Sequence, residues 1–180
     1  MPRTTTATRT TRTQTALDLL KADHAEAKKL FRQFEKLKKN EDTDGMQQVA
    51  QTVCDALRIH AQIEEEIFYP TFEGKVEEDL YKEAFVEHDG AKVLINDIMA
   101  NGQEDEFFEA KVTVLCEEIS HHVKEEEKPG EGFFAQARES GADMVALRDT
   151  LMARKEELMA QAETGGLPPA QLAAVHLETA

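Results

Sequence analysis

Residues 60–70 read HAQIEEEIFYP, and this stretch predicts a helix that carries a pair of metal-binding side chains. The imidazole of His60 and the carboxylate of Glu64 are four residues apart, so on a helix both point in the same direction. The chain repeats this arrangement with His122 and Glu126. Two further histidines, each set among helix-forming residues, complete a ligand set sufficient for two metal ions. These are His24 and His88.

The composition favours an all-α protein folded as one domain. The chain has 180 residues, of which 41% are hydrophobic, and only nine Gly and five Pro interrupt a sequence rich in helix formers. A chain of this length buries a substantial core. The net charge of −15 argues against nucleic acid as a partner, because phosphates would be repelled. No apolar run approaches the roughly 20 residues that a membrane span needs.

Apolar residues at alternating spacings of three and four predict the helices of a bundle. Four such patterns follow one another from Ala16 onward, and each has one histidine on its apolar face. Turn-forming residues separate the patterns at positions 41–45, 70–74, 101–102 and 129–130. A fifth periodic stretch covers about residues 143–162. We therefore expect an up-down-up-down antiparallel four-helix bundle with a C-terminal helical extension.

The sequence predicts three segments along the chain. Residues 1–15 are rich in Thr and Arg and almost free of apolar side chains, so we expect a disordered tail rather than a transit peptide. The bundle and its C-terminal helix occupy residues 16–163, and residues 164–180 form a second tail. The two cysteines, Cys54 and Cys116, lack metal-type spacing, and no secretory signal is evident. We expect reduced thiols in a cytoplasmic protein.

The four inward histidines are predicted to lie in one layer of the bundle. Short loops make consecutive helices antiparallel, so two residues are level when they lie equally far from the turn between them. For each consecutive pair of these histidines, the midpoint in the sequence falls inside the turn or about one helical turn from it. A single histidine on an apolar face is more often a hydrogen-bonded core residue than a ligand. Four level imidazoles with nothing to coordinate would be costly to bury, which favours a metal site.

His121 competes with His122 for the ligand position, because each has a glutamate four residues later. His122 continues the apolar face of its helix, whereas His121 lies on a mixed face. We therefore predict that His122 is the ligand and that His121 is a surface or supporting residue. The glutamates next to the motifs are expected to form a solvated helix face, with at most one of them a ligand. They are Glu65, Glu66, Glu125 and Glu127.

The order His, His-x-x-x-Glu, His, His-x-x-x-Glu resembles that of the hemerythrin HHE cation-binding family. The segments that carry the resemblance are LLKADHAEAKKLFRQFEKL, HAQIEEEIFYP, EHDGAKVLINDIM and HHVKEEE, and it covers about residues 16–160. The resemblance implies a non-haem di-iron centre with an oxo or hydroxo bridge. The first two histidines would bind one iron and the last two the other, with both glutamates bridging. In chain order, the implied ligands are His24, His60, Glu64, His88, His122 and Glu126.

One position departs from the oxygen-carrying hemerythrins, which have a further histidine four residues after the one that matches His88. Here that position is Lys92. We expect this lysine to turn toward solvent, away from a divalent ion. One iron would then lack an imidazole, which water, His121 or a neighbouring glutamate would replace. Reversible oxygen carriage is accordingly less favoured than a reaction at the metal.

The donor set favours iron, since imidazole suits iron, zinc and copper while carboxylates suit harder ions. A structural zinc site is less favoured without thiolate ligands, and zinc or manganese pairs are the lesser alternatives. The leading hypothesis is a di-iron protein that binds or consumes O₂, peroxide or nitric oxide, with or without enzymatic turnover. The alternative is an iron-sensing, iron-storage or regulatory interaction protein. Neither hypothesis calls for a nucleic acid or a membrane, and the sequence identifies no protein partner.

Overall fold

Capping residues fix where the helices begin. In the computed structural model, which describes residues 13–177, the Asp18 N–H donates to the Thr15 hydroxyl at 3.3 Å. The Thr15 N–H donates in return to the Asp18 carboxylate at 2.9 Å. This reciprocal capping box starts the first helix. The carboxylates of Asp42 and Asp143 accept backbone N–H groups at the starts of two later helices.

The elements agree with the predicted all-α class. In chain order they are α1 (Ala16–Lys39), α2 (Thr43–Ile63), α3 (Tyr69–Phe72), α4 (Glu78–Asn101), α5 (Phe108–Glu126), α6 (Phe133–Glu139) and α7 (Met144–Gly165). A π-helical turn, Glu64–Phe68, joins α2 to α3, and a 3-10 turn, Gly102–Glu104, follows α4. The long helices α1, α2, α4 and α5 form the predicted bundle, and α7 packs across α1 and α2. Between residues 13 and 177, no helix is long and apolar enough to span a membrane.

Two hydrophobic clusters fill the bundle, one on each side of the histidine layer. On α1, for example, His24 lies between Leu20 of one cluster and Ala27 of the other. The cluster on the Leu20 side is rich in aromatic rings, namely Phe68, Tyr69, Phe72, Phe133 and Phe134. The polar layer therefore has apolar packing above and below it along the bundle, and its histidines are almost fully buried.

Helix α6 closes the aromatic end of the bundle because Gly132 allows it to approach α5 closely. A Cβ atom at Gly132 would lie 2.3 Å from the backbone oxygen of Glu125, so a larger residue would force the two segments apart. The approach places Phe134 parallel to the imidazole of His24, with 5.6 Å between ring centroids. Phe133 packs against Tyr69 at a centroid distance of 5.0 Å.

The C-terminal segment folds back along α4. The Asn96 amide donates to the carbonyl of Ala170 at 2.9 Å and accepts the N–H of the same residue at 2.8 Å. The carboxylate of Asp89 accepts three successive backbone N–H groups, those of Ala173, Ala174 and Val175. The segment predicted as the tail 164–180 is thus held by specific hydrogen bonds as far as residue 175. Residues 1–12 of the predicted N-terminal tail and residues 178–180 lie outside the described part of the chain.

Candidate metal centre

The four inward histidines place their Nε2 atoms together at the centre of the bundle. The Nε2 atoms of His24 and His60 are 3.1 Å apart, and those of His88 and His122 are 3.2 Å apart. One pair comes from α1 and α2, and the other from α4 and α5. Loop lengths and helix periodicity therefore predicted the layer correctly.

Two carboxylates connect the histidine pairs. An oxygen of Glu64 lies 3.1 Å from the Nε2 of His60 and 3.4 Å from the Nε2 of His88. An oxygen of Glu126 lies 3.3 Å from the Nε2 of His24 and 3.5 Å from the Nε2 of His122. Each carboxylate thus touches one imidazole from each pair, which is the arrangement that a bridging ligand requires.

In the part of the chain that the structure describes, the hydrogen bonds among the clustered side chains leave some buried oxygen atoms without a partner, as expected for a site that binds a cation. All six side chains are buried, and among the described residues one oxygen of Glu64 and one of Glu126 have no hydrogen-bond partner. A buried carboxylate oxygen without a donor is costly, and a cation would satisfy it. The ligand atoms form two groups, each within 4.8 Å, that share Glu64. The first contains His24, His60, Glu64 and Glu126, and the second Glu64, His88 and His122.

Each histidine has a second carboxylate at its outer ring nitrogen. This pattern fixes the ring so that Nε2 points inward, and carboxylates commonly orient metal-binding histidines in this way. The Nδ1 contacts are His24 to Glu127 at 2.8 Å, His60 to Asp23 at 3.5 Å, His88 to Glu65 at 2.9 Å and His122 to Glu87 at 2.8 Å. Two of the glutamates expected on a solvated face, Glu65 and Glu127, therefore support the cluster instead.

Without metal, two of the buried histidines are protonated, and their positive charges balance the negative charges of the neighbouring carboxylates. Burial disfavours the charged form of His60, but the neighbouring Glu64 and Asp23 outweigh it and raise the pKa of His60 to about 10. Burial likewise opposes protonation of His122, and Glu126 with Glu87 raises the pKa of His122 to about 10. For His88, burial dominates and lowers the pKa. Metal ions that bind here displace the protons of His60 and His122.

Tyr69 belongs to the cluster although its spacing gave no indication of it. Its hydroxyl donates to Glu126 at 3.0 Å and lies 3.3 Å from both Glu64 and the Nε2 of His88. In an α-helix, Tyr69 would be rotated by about 140° from Glu64, which is five residues earlier. The π-helical turn reduces this offset, because the Tyr69 N–H bonds to the Glu64 carbonyl in an i to i−5 pattern. Burial and then Glu126 raise the pKa of Tyr69 well above its usual range, so the hydroxyl keeps its proton.

The expectation that Lys92 turns toward solvent is wrong. Lys92 is 4% exposed, and its ammonium contacts Glu65 at 2.7 Å and Asp89 at 3.1 Å. Two carboxylates satisfy the buried charge, so water is not needed. The side chain of His121 is 65% exposed and contacts Glu87 at the surface, whereas His122, the predicted ligand, is buried in the cluster.

The cluster and the fold agree with the comparison to known families. A family model described as the hemerythrin HHE cation binding domain matches residues 15–129. The chain belongs to the hemerythrin HHE cation-binding family. The matched hemerythrin region spans α1 to α5 with all six clustered residues, and α6 and α7 follow it. Searches of curated proteins and of solved structures each gave no significant match.

Proposed function

We propose that the cluster holds two iron ions and that this hemerythrin-type di-iron centre binds or reacts with O₂, peroxide or nitric oxide. The observation that carries the proposal is the sharing of Glu64 between two groups of ligand atoms. One carboxylate between two histidine pairs serves two adjacent ions, as in other di-metal sites built inside helical bundles. His24 and His60 would hold one ion, and His88 and His122 would hold the other, with Glu64 and Glu126 shared between them.

The donor types support iron over the alternatives. Four imidazoles and two carboxylates give a mixed nitrogen and oxygen set, which suits iron. Structural zinc sites favour thiolates, and the described cysteines are elsewhere, with Cys54 buried in the hydrophobic cluster that contains Ala27. The same two cysteines are unpaired, which suits a reducing compartment, and we place the activity in the cytoplasm.

The side chains around the ligands orient the imidazoles, exclude water and hold a proton, which suits a reaction with a small molecule. Iron supplies one-electron redox chemistry toward O₂, peroxide or nitric oxide. The outer carboxylates hold the imidazoles in the ligating orientation. Phe133 and Phe134 exclude water from the carboxylate side. The Tyr69 hydroxyl holds a proton beside Glu64 and Glu126.

A reaction is favoured over reversible oxygen carriage because of Lys92. The ammonium of Lys92 is engaged by Glu65 and Asp89 and is not a ligand in this state. The half-site of His88 and His122 consequently has one imidazole fewer than its counterpart in the oxygen carriers. An iron ion held there by His88 and His122 would have room for a small molecule to bind and react.

A metal-responsive regulator is the second candidate, and one set of contacts favours it. His88 contacts Glu65, which contacts Lys92, which contacts Asp89, and Asp89 holds the C-terminal segment. Occupation of the half-site at His88 thus has a physical route to residues 173–175.

The proposal is tested on the full chain by metal analysis, a near-ultraviolet charge-transfer spectrum and peroxide consumption. We expect about two iron ions per chain, as the two ligand groups require. The variant His122→Ala loses metal from its half-site because a ligand is gone. The matched control His121→Ala keeps both ions. One tightly held ion per chain, or zinc bound to the exclusion of iron, contradicts the proposal. Iron-dependent folding without turnover of peroxide or O₂ supports the regulator instead.

A further inference from the structure

A cavity of about 470 Å³ lies beside the histidine layer, between α1, α2 and α7. Exposed residues of all three helices, including Glu26, Thr52 and Met159, form its mouth. Small and branched apolar side chains form its inner wall. Among them are Ala27, Leu57, Ala91, Ile95, Ile119 and Val123. We propose that this cavity binds an uncharged organic molecule of roughly 10 to 20 non-hydrogen atoms beside the metal ligands.

The cavity reaches the ligands from the histidine side. All four inward histidines line it, whereas within residues 13–177 the bridging glutamates and Tyr69 do not. The aromatic cluster at α6 covers the carboxylate side, so a bound molecule has access to the imidazole side alone. A molecule in the cavity therefore lies next to the proposed ions without displacing a carboxylate.

The volume sets the size of the occupant. A dry apolar cavity of about 150 Å³ is enough for benzene, and a water molecule takes about 30 Å³. Pockets for drug-sized ligands begin at about 300 Å³. At about 470 Å³, this cavity far exceeds what O₂ or peroxide needs, and it matches a medium-length aliphatic chain or a fused aromatic ring system. Two metal ions would fill a small part of it.

The charges around the cavity disfavour anions. Asp23, Glu26, Asp55 and Glu163 contribute four carboxylates at the mouth, of which Asp23 is paired with Lys155, Glu26 with Lys29 and Asp55 with Arg58. The net charge of −15 would repel a fatty acid anion as it approached the protein. Inside the cavity Lys92 is neutralised by Glu65 and Asp89. In the metal-free protein the raised pKa keeps His60 and His122 protonated, and Glu64 with Asp23 and Glu126 with Glu87 balance these two charges. An uncharged apolar molecule is the class that this lining favours, since it loses no hydrogen bonds to water on burial.

Helix α7 adds a wall to the cavity that the matched region by itself does not supply. It lies after residue 129, where the family match ends, and it supplies Lys155, Met159, Ala162 and Glu163 to the wall. Met159 is 45% exposed at the mouth, and its flexible thioether adapts to ligands of different shape. The entrance therefore depends on how α7 is anchored to α1 and α2.

Binding is measured on the metal-free full chain, so that failure of the iron proposal does not affect the result. The uncharged fluorescent probe N-phenylnaphthylamine is titrated into the protein, and decanol or decanoate then competes for the site. We expect saturable binding of one probe per chain with a Kd in the micromolar range, displaced by decanol and at least about tenfold less effectively by decanoate. Absence of saturable binding, or equal competition by decanoate, overturns the proposal.

Variants locate the bound probe. Ala56 and Ala162 line the mouth and are half-buried, so Ala56→Trp and Ala162→Trp fill the space with little disturbance of the core. We expect each to weaken probe binding by about tenfold or more. The control Ala153→Trp adds the same ring at an exposed position of α7 and leaves the affinity unchanged. If both mouth variants, shown to be folded by circular dichroism, bind the probe as the wild type does, the probe binds outside the cavity and the proposal is overturned.

Discussion

Lys92 and Asp89 form a buried ion pair on successive turns of α4, with 3.1 Å between the ammonium and the carboxylate. The pair joins two parts of the molecule that are distant in sequence. On one side, Lys92 contacts Glu65, which orients His88 in the cluster. On the other side, Asp89 accepts backbone N–H groups at residues 173–175. A lysine that replaces a ligand of the oxygen carriers therefore has a structural role of its own.

Replacing Lys92 with methionine should destabilise the protein. The change leaves the buried Asp89 and the partly buried Glu65 without their shared cation, and removal of one partner from a buried ion pair costs about 3 kcal/mol. Urea unfolding of the metal-free protein measures the loss. The control Lys82→Met removes an exposed lysine that pairs with Glu78 one turn earlier, and we expect no measurable effect. If the two variants were equally stable, the ion pairs of Lys92 with Glu65 and Asp89 would contribute nothing to the free energy of unfolding.

A chain ending at Gly166 should also be less stable, because Asp89 loses three backbone donors. Each hydrogen bond to a charged group contributes about 1.5 to 3 kcal/mol, and water that enters the exposed groove recovers part of this. The substitution Asp89→Asn should cost less in the shortened chain than in the full chain, as expected for residues that interact.

The double-mutant cycle for Asp89 is measured by urea unfolding of all four proteins. Gln171→Ala serves as the control, since its exposed side chain bonds only within the segment, to Pro169. Additive effects of truncation and Asp89→Asn would contradict the proposed contact.

The metal-free protein should lose stability as the pH rises above 6.5. The folded pKa of His60 and of His122 is about 10, compared with 6.5 for an ordinary histidine. Because the folded values are raised, the stabilisation is complete below pH 6.5 and is lost as the pH approaches 10. His88 has a lowered pKa and acts in the opposite direction, but only at more acidic pH.

Metal binding should abolish this dependence, because ligating imidazoles are neutral. At pH 7.5 we expect uptake of metal to release about two protons per chain, one each from His60 and His122. A pH-indicator dye in weak buffer measures the release. Metal uptake without proton release would show that these histidines are neutral in the metal-free protein.

Tyr69→Phe should weaken metal binding by about tenfold, since loss of a group that orients metal ligands has effects of this size. The variant keeps the aromatic packing but removes the hydroxyl that contacts Glu126 and Glu64. Competition with a chelator measures the affinity. Tyr81→Phe is the control, because it removes the same hydroxyl from a tyrosine that packs against Phe85 beside the aromatic cluster and does not contact the metal ligands. Equal affinities for wild type and Tyr69→Phe would limit Tyr69 to packing.

The sequence predicted the bundle and the six clustered residues because both are encoded in local spacing. A period of 3.6 residues places His60 and Glu64 on one face of their helix. Short turns make successive helices antiparallel, so their histidines lie at the same height in the bundle. The same rule separated His122 from its exposed neighbour His121. It missed Tyr69, since the assumption of regular α-helix breaks down at the π-helical turn that starts at Glu64.

By itself, then, the sequence determined the helices, their order and the layer in which the histidines meet, because each of these follows from periodicity and loop length. Only the tertiary structure decided the surroundings of that layer. The burial of Lys92, the docking of residues 170–175 on α4 and the cavity under α7 depend on contacts between residues that are distant in sequence. Such contacts depend on which side chains satisfy one another's charges and hydrogen bonds after the helices have packed, and no local pattern specifies that choice.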